Sequence, residues 1–152
     1  MGYSGSGKST LAQRLAKEHR IPLLHLDSVH FLPGWVERDP AEEEKIVGNF
    51  LATHEEWVIE GEYASLHYER RLAEADCVYL LITNRFIRLY RVLRRTLKYR
   101  GRTRPDLAEG CIERFTIEFI KWVLWDGCGP TRRQRYERII AQYPEKTTVI
   151  PR

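Results

Sequence analysis

The first residues of the sequence match the phosphate-binding pattern G-x-x-x-x-G-K-[ST], which runs from Gly2 to Ser9. Glycine allows backbone conformations that other residues avoid, so successive N–H groups can turn toward one phosphate at the start of a helix. At the end of the pattern, Lys8 is expected to reach the β- and γ-phosphate oxygens as a catalytic residue, and Ser9 to bind magnesium. The pattern predicts a site for ATP and magnesium (Mg2+). The predicted nucleotide-binding residues are Gly2, Ser4, Gly5, Ser6, Gly7, Lys8, Ser9 and Thr10.

Two carboxylates, Asp27 and Glu60, come at the ends of short apolar segments that are predicted strands. In an open parallel sheet, ligands bind beyond the carboxyl ends of the strands. We therefore expect Asp27 to orient or deprotonate an acceptor hydroxyl, or to bind magnesium through water. A purely local role at the Asp27-Ser28 bend is the alternative. Glu60 is predicted to bind magnesium together with Ser9.

A third group of candidates lies in a basic segment whose cations recur at spacings of three and four residues. This spacing places them on one helical face and the apolar residues on the other. Because like charges at this spacing repel, an anion is expected nearby, and arginines of this kind neutralise a phosphoryl group during transfer. Arg91 and Arg95 are the predicted catalytic arginines, and a solvated basic face or a nucleic-acid contact are the alternatives. The cations are Arg88, Arg91, Arg95, Lys98 and Arg102, with Arg104 behind them, and the apolar residues are Phe86, Leu89, Tyr90, Leu93 and Leu97.

Helical and strand patterns alternate along the chain, which predicts an α/β fold with a parallel sheet. Asp39-Pro40 has the composition of a helix start, with a capping carboxylate followed by proline. A phosphate loop of this kind follows a buried central strand, yet only Met1 precedes Gly2. We therefore expect the native chain to continue upstream, or another segment to take that place. Helices are predicted at 7–20, from 39 onward, and at 65–74, 85–100, 112–125 and 131–142, and strands at 22–26, 57–59, 77–82 and 147–150.

Composition excludes several classes of protein. The 152 residues include 25 Lys and Arg against 21 Asp and Glu, a formal net charge of +4, and 43% are hydrophobic, which suits a folded domain. The longest uncharged apolar run, from Cys77 to Thr83, is too short to cross a bilayer, and the first residues carry no secretion signal. We therefore expect a cytoplasmic protein without a membrane partner, and make no prediction of its oligomeric state.

Several short motifs of the sequence resemble those of the bacterial DNA topology modulation proteins, which are similar to adenylate-kinase-type P-loop kinases. Where that family reads Asp-Gly-Asn-Tyr, this chain has Glu-Gly-Glu-Tyr at 60–63. The resemblance implies a three-layer P-loop NTPase fold, with helices on both faces of a parallel sheet. It also implies one domain over 1–152 with a helical lid at about 85–126. The motifs that carry the resemblance are Gly-Tyr-Ser-Gly-Ser-Gly-Lys-Ser-Thr (2–10), His-Leu-Asp (25–27), Phe-Leu-Pro-Gly-Trp (31–35), Trp-Val-Ile-Glu-Gly-Glu-Tyr (57–63), Arg-Thr-Arg-Pro-Asp (102–106) and Phe-Ile-Lys-Trp-Val-Leu-Trp (119–125).

Motif and resemblance together favour a kinase that transfers the γ-phosphoryl group of ATP to a nucleotide or small-molecule acceptor. The alternative is a nucleotide-dependent DNA-binding regulator of DNA topology, for which the basic segment would supply the nucleic-acid contact. A GTPase is disfavoured because the sequence lacks an Asn-Lys-x-Asp motif for guanine. The direction in which the arginine face points distinguishes the two leading hypotheses.

Overall fold

The computed structural model describes residues 1–104, 106–112 and 116–151. Its elements confirm a mixed α/β protein with short parallel sheets. The chain forms two compact units: the first unit contains residues 1–7, 75–98 and 116–151, and the second contains 8–74, 99–104 and 106–112. The helices are α1 (Lys8–His19), α2 (Leu26–His30), α3 (Pro40–Thr53), α4 (Tyr68–Glu74), α5 (Arg85–Lys98), α6 (Ile117–Leu124) and α7 (Pro130–Gln142). The strands are β1 (Leu23–His25), β2 (Phe31–Leu32), β3 (Val36–Glu37), β4 (Val58–Glu60), β5 (Val78–Ile82) and β6 (Thr147–Pro151).

In the second unit, β1 and β4 pair in parallel, and the register places His25 opposite Glu60. Helix α1 packs against both strands. Helix α3 begins where the sequence predicts, because the Asp39 side chain accepts hydrogen bonds from the backbone N–H groups of Ala41 and Glu42. The pairing brings the last residues of β1 and β4, and the loops that follow them, to one edge of this small sheet.

The core of the second unit forms between α2, α3 and the segments after the two strands. Helix α3 contributes Val47 and Leu51, which are buried, and Ile46, which packs against them. The removal of these apolar side chains from water is the main contribution to the stability of the second unit. Its buried members are Leu26, Val29, Val47, Leu51 and Leu66, with Leu24, Ile46, Trp57, Ile59 and Tyr63 partly buried around them.

In the first unit, β5 and β6 form a parallel pair. Leu81 of β5 pairs with Ile150 of β6 and also forms a parallel bridge with Gly2, so β5 has neighbours on both edges. The Leu81 N–H donates to the Met1 carbonyl at 3.0 Å. Met1 and Gly2, at the start of the phosphate loop, therefore run parallel to β5.

Two local features differ from the sequence prediction. The residues after β1 form the short helix α2, and the next residues form an antiparallel hairpin of β2 and β3, where only a bend was expected. The helix predicted at 112–125 begins later, because Ile112 forms an antiparallel bridge with Thr103 and the Thr116 side chain caps α6. Residues 113–115 of that prediction, and Pro105 of the predicted lid loop, lie outside the described residues.

Helix α5 differs in which face is buried. The sequence places its cations on one face and its apolar residues on the other, and such an apolar face ordinarily packs into a core. In the structure Arg88 is 3% exposed and Val92 is buried, whereas Phe86 is 70% exposed and Leu97 is 64% exposed.

Within the described part of the chain, no helix is long and apolar enough to cross a membrane.

Gly61 gives a test of the packing that holds the ends of β1 and β4 together. Its φ angle is 136°, and a Cβ atom at this position would lie 2.6 Å from the Cβ atom of Leu26. We expect Gly61→Ala to lower the free energy of unfolding by about 3 kcal/mol, from backbone strain and overpacking together. Urea denaturation measures this change.

Gly34→Ala is the matched control, because Gly34 also has a positive φ, of 80°. Among the described residues, no atom outside Gly34 and its two chain neighbours would lie within 4 Å of the added methyl group. Its cost is expected to be about 1 kcal/mol, from backbone strain alone. Equal losses in the two variants would contradict the close approach of Leu26.

Candidate functional site

The backbone of the phosphate loop has the conformation that its glycines were predicted to allow. Gly2, Gly5 and Gly7 have φ angles of 140°, 75° and 98°. The Ser6 N–H donates to the Tyr3 carbonyl at 3.1 Å and closes a turn within the loop. A Cβ atom on Gly5 would lie 2.7 Å from the Arg88 carbonyl oxygen, so a side chain there would have to displace α5. Of the other predicted loop residues, Ser6 is buried, Ser4 is half-buried and Thr10 is exposed.

Glu60 is the centre of the polar contacts in the second unit. Its carboxylate accepts hydrogen bonds from Ser9 Oγ at 3.3 Å and from His25 Nδ1 at 3.0 Å. Lys8 Nζ lies 3.6 Å from the other carboxylate oxygen. The side chain is 6% exposed, so these contacts occur largely out of water. The structure thus brings together Lys8, Ser9 and Glu60, which the sequence singled out from two distant segments.

The environment of Glu60 favours its charged form. Burial alone raises the pKa of a carboxyl group, but the hydrogen bond from His25 and the positive charges of Lys8 and His25 outweigh it and lower the pKa from 4.5 to about 2. An ionised carboxylate only accepts hydrogen bonds. Glu60 is therefore ionised at neutral pH, and it lies beside Lys8 and Ser9, the last two fixed positions of the phosphate-loop motif.

Asp27 lies beyond the end of β1 and accepts a hydrogen bond from the Tyr63 hydroxyl at 2.8 Å. Burial, and after it the charge of Asp27 and this hydrogen bond, raise the pKa of Tyr63, so Tyr63 remains a donor. The Tyr63 ring packs on the His30 ring at 4.7 Å between centroids. His30 Nδ1 in turn donates to the buried carboxylate of Glu43 at 2.8 Å. These contacts fix one oxygen of the Asp27 carboxylate in place.

Arg71 holds the segment that carries Tyr63. Its guanidinium donates to the backbone carbonyls of Tyr63 and Leu66. Burial lowers the pKa of this arginine to about 10. Arg71 is still positively charged at neutral pH, and it satisfies two carbonyls in a loop without regular structure.

In the first unit, the arginines of α5 have different roles. Arg91 donates to the Ser6 carbonyl at 3.1 Å, which places one predicted catalytic arginine against the phosphate loop. Arg88 donates to the Thr83 carbonyl and to Cys128 Sγ, and it lies over the Tyr3 ring at 4.7 Å. The buried Arg88 is therefore a packing residue and not one of a row of exposed cations. Arg95, the other predicted catalytic arginine, is half-buried on the same helix.

The sequence analysis missed His25 and the pair of His30 and Glu43. His25 is the last residue of β1 and Glu60 the last of β4, and their pairing follows from the parallel register. The alignment of two strand ends was thus the available signal for His25. Nothing in the local sequence indicates that His30 reaches Glu43, which lies 13 residues further along on α3.

The donor atoms beside the loop fit magnesium. This ion prefers oxygen ligands and usually takes only one or two from protein side chains, with the remainder from water and phosphate. The Ser9 hydroxyl and the Glu60 carboxylate supply such oxygens. Among the described residues, no group of three or more His, Cys, Asp or Glu is placed to hold a metal ion. Ser9 and Glu60 are therefore the residues here whose oxygens fit a magnesium ion.

Comparison with known proteins finds no protein-family model that matches this chain and no curated protein that matches it significantly.

The pKa of Glu60 predicts a specific dependence of stability on pH. Because this pKa is about 2 in the folded protein and 4.5 in the unfolded chain, ionised Glu60 stabilises the fold above about pH 4.5, and the stabilisation is lost as the pH falls toward 2. The shift corresponds to about 3 kcal/mol. We therefore expect Glu60→Gln to lower the free energy of unfolding at neutral pH. The difference in this free energy between wild type and variant should decrease as the pH falls toward about 2.

Urea denaturation across this pH range measures the difference, with Glu56→Gln as the control, because Glu56 is exposed. The control is expected to follow the wild type at every pH. A difference between wild type and Glu60→Gln that stays constant with pH would contradict the described environment of Glu60.

Proposed function

We propose that this chain is a P-loop phosphotransferase of the adenylate-kinase type. It transfers the γ-phosphoryl group of ATP to a nucleotide or small-molecule acceptor. The proposal includes the three-layer P-loop NTPase fold and the relationship to the DNA topology modulation proteins. One observation carries it: Lys8 and Ser9, the last fixed residues of the phosphate-loop motif, both contact the buried carboxylate of Glu60.

In this proposal the residues of the motif hold the phosphates of ATP. Backbone N–H groups of the phosphate loop other than that of Ser6 surround the β-phosphate, and Lys8 neutralises the β- and γ-phosphate oxygens. Ser9 and Glu60 would hold magnesium, which would supply positive charge to offset that of the phosphates. His25 keeps the Glu60 carboxylate oriented through its hydrogen bond.

Asp27 acts on the acceptor. Its carboxylate accepts a hydrogen bond from the acceptor hydroxyl, orients that oxygen for attack on the γ-phosphorus and takes its proton. As the new bond forms, the bond between the γ-phosphorus and the oxygen that it shares with the β-phosphate breaks, and ADP leaves. Tyr63 holds Asp27 in place, since its hydroxyl already occupies one carboxylate oxygen. Arg91 and Arg95 neutralise the charge on the transferred phosphoryl group. The contact of Arg91 with Ser6 supports this direction of the arginine face.

Replacing Lys8 tests the proposal directly. We expect the wild type to transfer the γ-phosphoryl group of ATP, with magnesium, to one member of a panel of nucleoside monophosphates and small hydroxyl compounds. We expect Lys8→Ala to lose about 10²- to 10³-fold in kcat/KM, because a positioned cation beside the reacting phosphate is removed. A radiolabel transfer assay measures both.

Lys17→Ala is the control, because Lys17 is exposed on the same helix, and it should keep wild-type turnover. Transfer that persists in Lys8→Ala would contradict the proposal. So would the absence of transfer to every acceptor in the panel.

Replacing Arg91 tests the role of α5. If Arg91 acts mainly on the transferred phosphoryl group, Arg91→Ala should lower kcat by about 10²-fold while the KM for ATP changes little. Steady-state kinetics separates the two constants. Arg94→Gln is the control on the same helix, because Arg94 is exposed. A higher KM with an unchanged kcat would instead assign Arg91 to holding ATP in its ground state.

A further inference from the structure

Helix α5 presents an apolar stripe to solvent, formed by Phe86, Tyr90, Leu93 and Leu97, which we call the outer stripe. These side chains are 70%, 63%, 41% and 64% exposed. Their spacing of four, three and four residues aligns them along one line of the helix. The outer stripe runs from Phe86 to Leu97 and is therefore about 17 Å long.

The orientation of α5 is fixed from its other side. Arg88 and Val92 are buried, Arg88 donates to the Thr83 carbonyl, and Arg91 donates to the Ser6 carbonyl. On a helical wheel these residues lie roughly opposite the outer stripe. The first unit therefore holds α5 firmly while leaving the outer stripe exposed, and a contiguous apolar surface of this kind usually marks an interaction site.

The rim of the outer stripe is positively charged. Arg85, Arg94 and Lys98 are exposed, and α5 contains no acidic residue. Long basic side chains beside an apolar face can extend their charged ends away from it while their stems remain on it. A partner must therefore combine an apolar interior with an anionic surface.

We propose that the outer stripe of α5 binds the surface of an anionic lipid membrane. Its aromatic and leucine side chains would enter the boundary between headgroups and acyl chains, and its basic rim would contact lipid phosphates. The sequence analysis expected no membrane partner because no segment can span a bilayer. Binding at the surface requires only one apolar face of one helix. This inference does not depend on nucleotide binding.

Two other partners fit less well. A second copy of the chain would bring one α5 against another and place like charges along both rims. An acidic helix of another protein would match the charge, but helix seams with this spacing favour Leu, Ile and Val. Tyr90 in such a seam would bury its hydroxyl, whereas at a membrane surface the hydroxyl reaches the headgroups. The neighbouring helix α6 also exposes an apolar residue, Ile117, at 80%.

Sedimentation with large vesicles tests the proposal. The probes are vesicles of phosphatidylcholine alone and vesicles of equal parts phosphatidylcholine and phosphatidylglycerol. We expect the wild type to sediment with the anionic vesicles, less so as salt is raised, and only weakly with the neutral ones. The double variant Leu93→Gln with Leu97→Gln should lower the partition coefficient by about tenfold or more. Arg94→Gln should lower it about threefold to tenfold.

The controls change an apolar residue and an arginine elsewhere in the first unit. Ile140→Gln replaces an apolar residue of α7 that is 37% exposed, and Arg138→Gln replaces an exposed arginine of that helix. Both should bind anionic vesicles like the wild type, and circular dichroism confirms that every variant is folded. Absence of binding to anionic vesicles, or equal binding by the stripe variants and their controls, would overturn the proposal. A dimer in analytical ultracentrifugation that the double variant dissociates would assign the outer stripe to a second copy instead.

Discussion

The ionised carboxylate of Glu60, 5% exposed, is the buried charge around which the polar contacts of the second unit are arranged. Removing an ionised carboxylate from water is costly unless positive charges and hydrogen-bond donors replace the lost hydration. Here His25, Ser9 and Lys8 replace it, and they come from the end of a strand and the start of a helix that follows the glycine loop. The parallel register of β1 and β4 is what places His25 opposite Glu60. The contacts that stabilise the ionised Glu60 in the fold are therefore the same contacts on which the proposed chemistry depends.

Helix α5 is the corresponding element of the first unit, and its two faces have different functions in this account. The inner face holds the phosphate loop, through Arg91 on the Ser6 carbonyl and through the close approach of Arg88 to Gly5. The outer face carries an apolar stripe with a basic rim. A strongly amphipathic helix normally buries its apolar side. In α5 the buried side contains Arg88, which contacts a carbonyl, a thiol and an aromatic ring.

The sequence predicted most elements of the fold, because their signals are local. The Asp39 cap of α3, the apolar strand β5 and the helix after the glycine loop are all confirmed. The burial of α5 could not be predicted, since periodicity shows where apolar residues lie on a helix but not what packs against them. The hairpin of β2 and β3 was missed because it is only two residues long on each side.

For the site, the motif gave Lys8 and Ser9, and the strand ends gave Asp27 and Glu60. The contacts that fix these carboxylates were beyond sequence analysis, because they join residues far apart in the chain. Tyr63 reaches Asp27 across 36 positions, and His25 reaches Glu60 across 35. Such pairs follow from strand register and loop packing, which a single sequence does not specify.

The most direct test of the central claim is the affinity for ATP, measured by isothermal titration calorimetry with and without magnesium in the wild type and in Ser9→Ala. If Lys8, Ser9 and Glu60 form a site for ATP and magnesium, the wild type binds ATP more tightly when magnesium is present, and Ser9→Ala loses most of that gain. Absence of ATP binding by the wild type, or an affinity that magnesium does not change, would contradict the account.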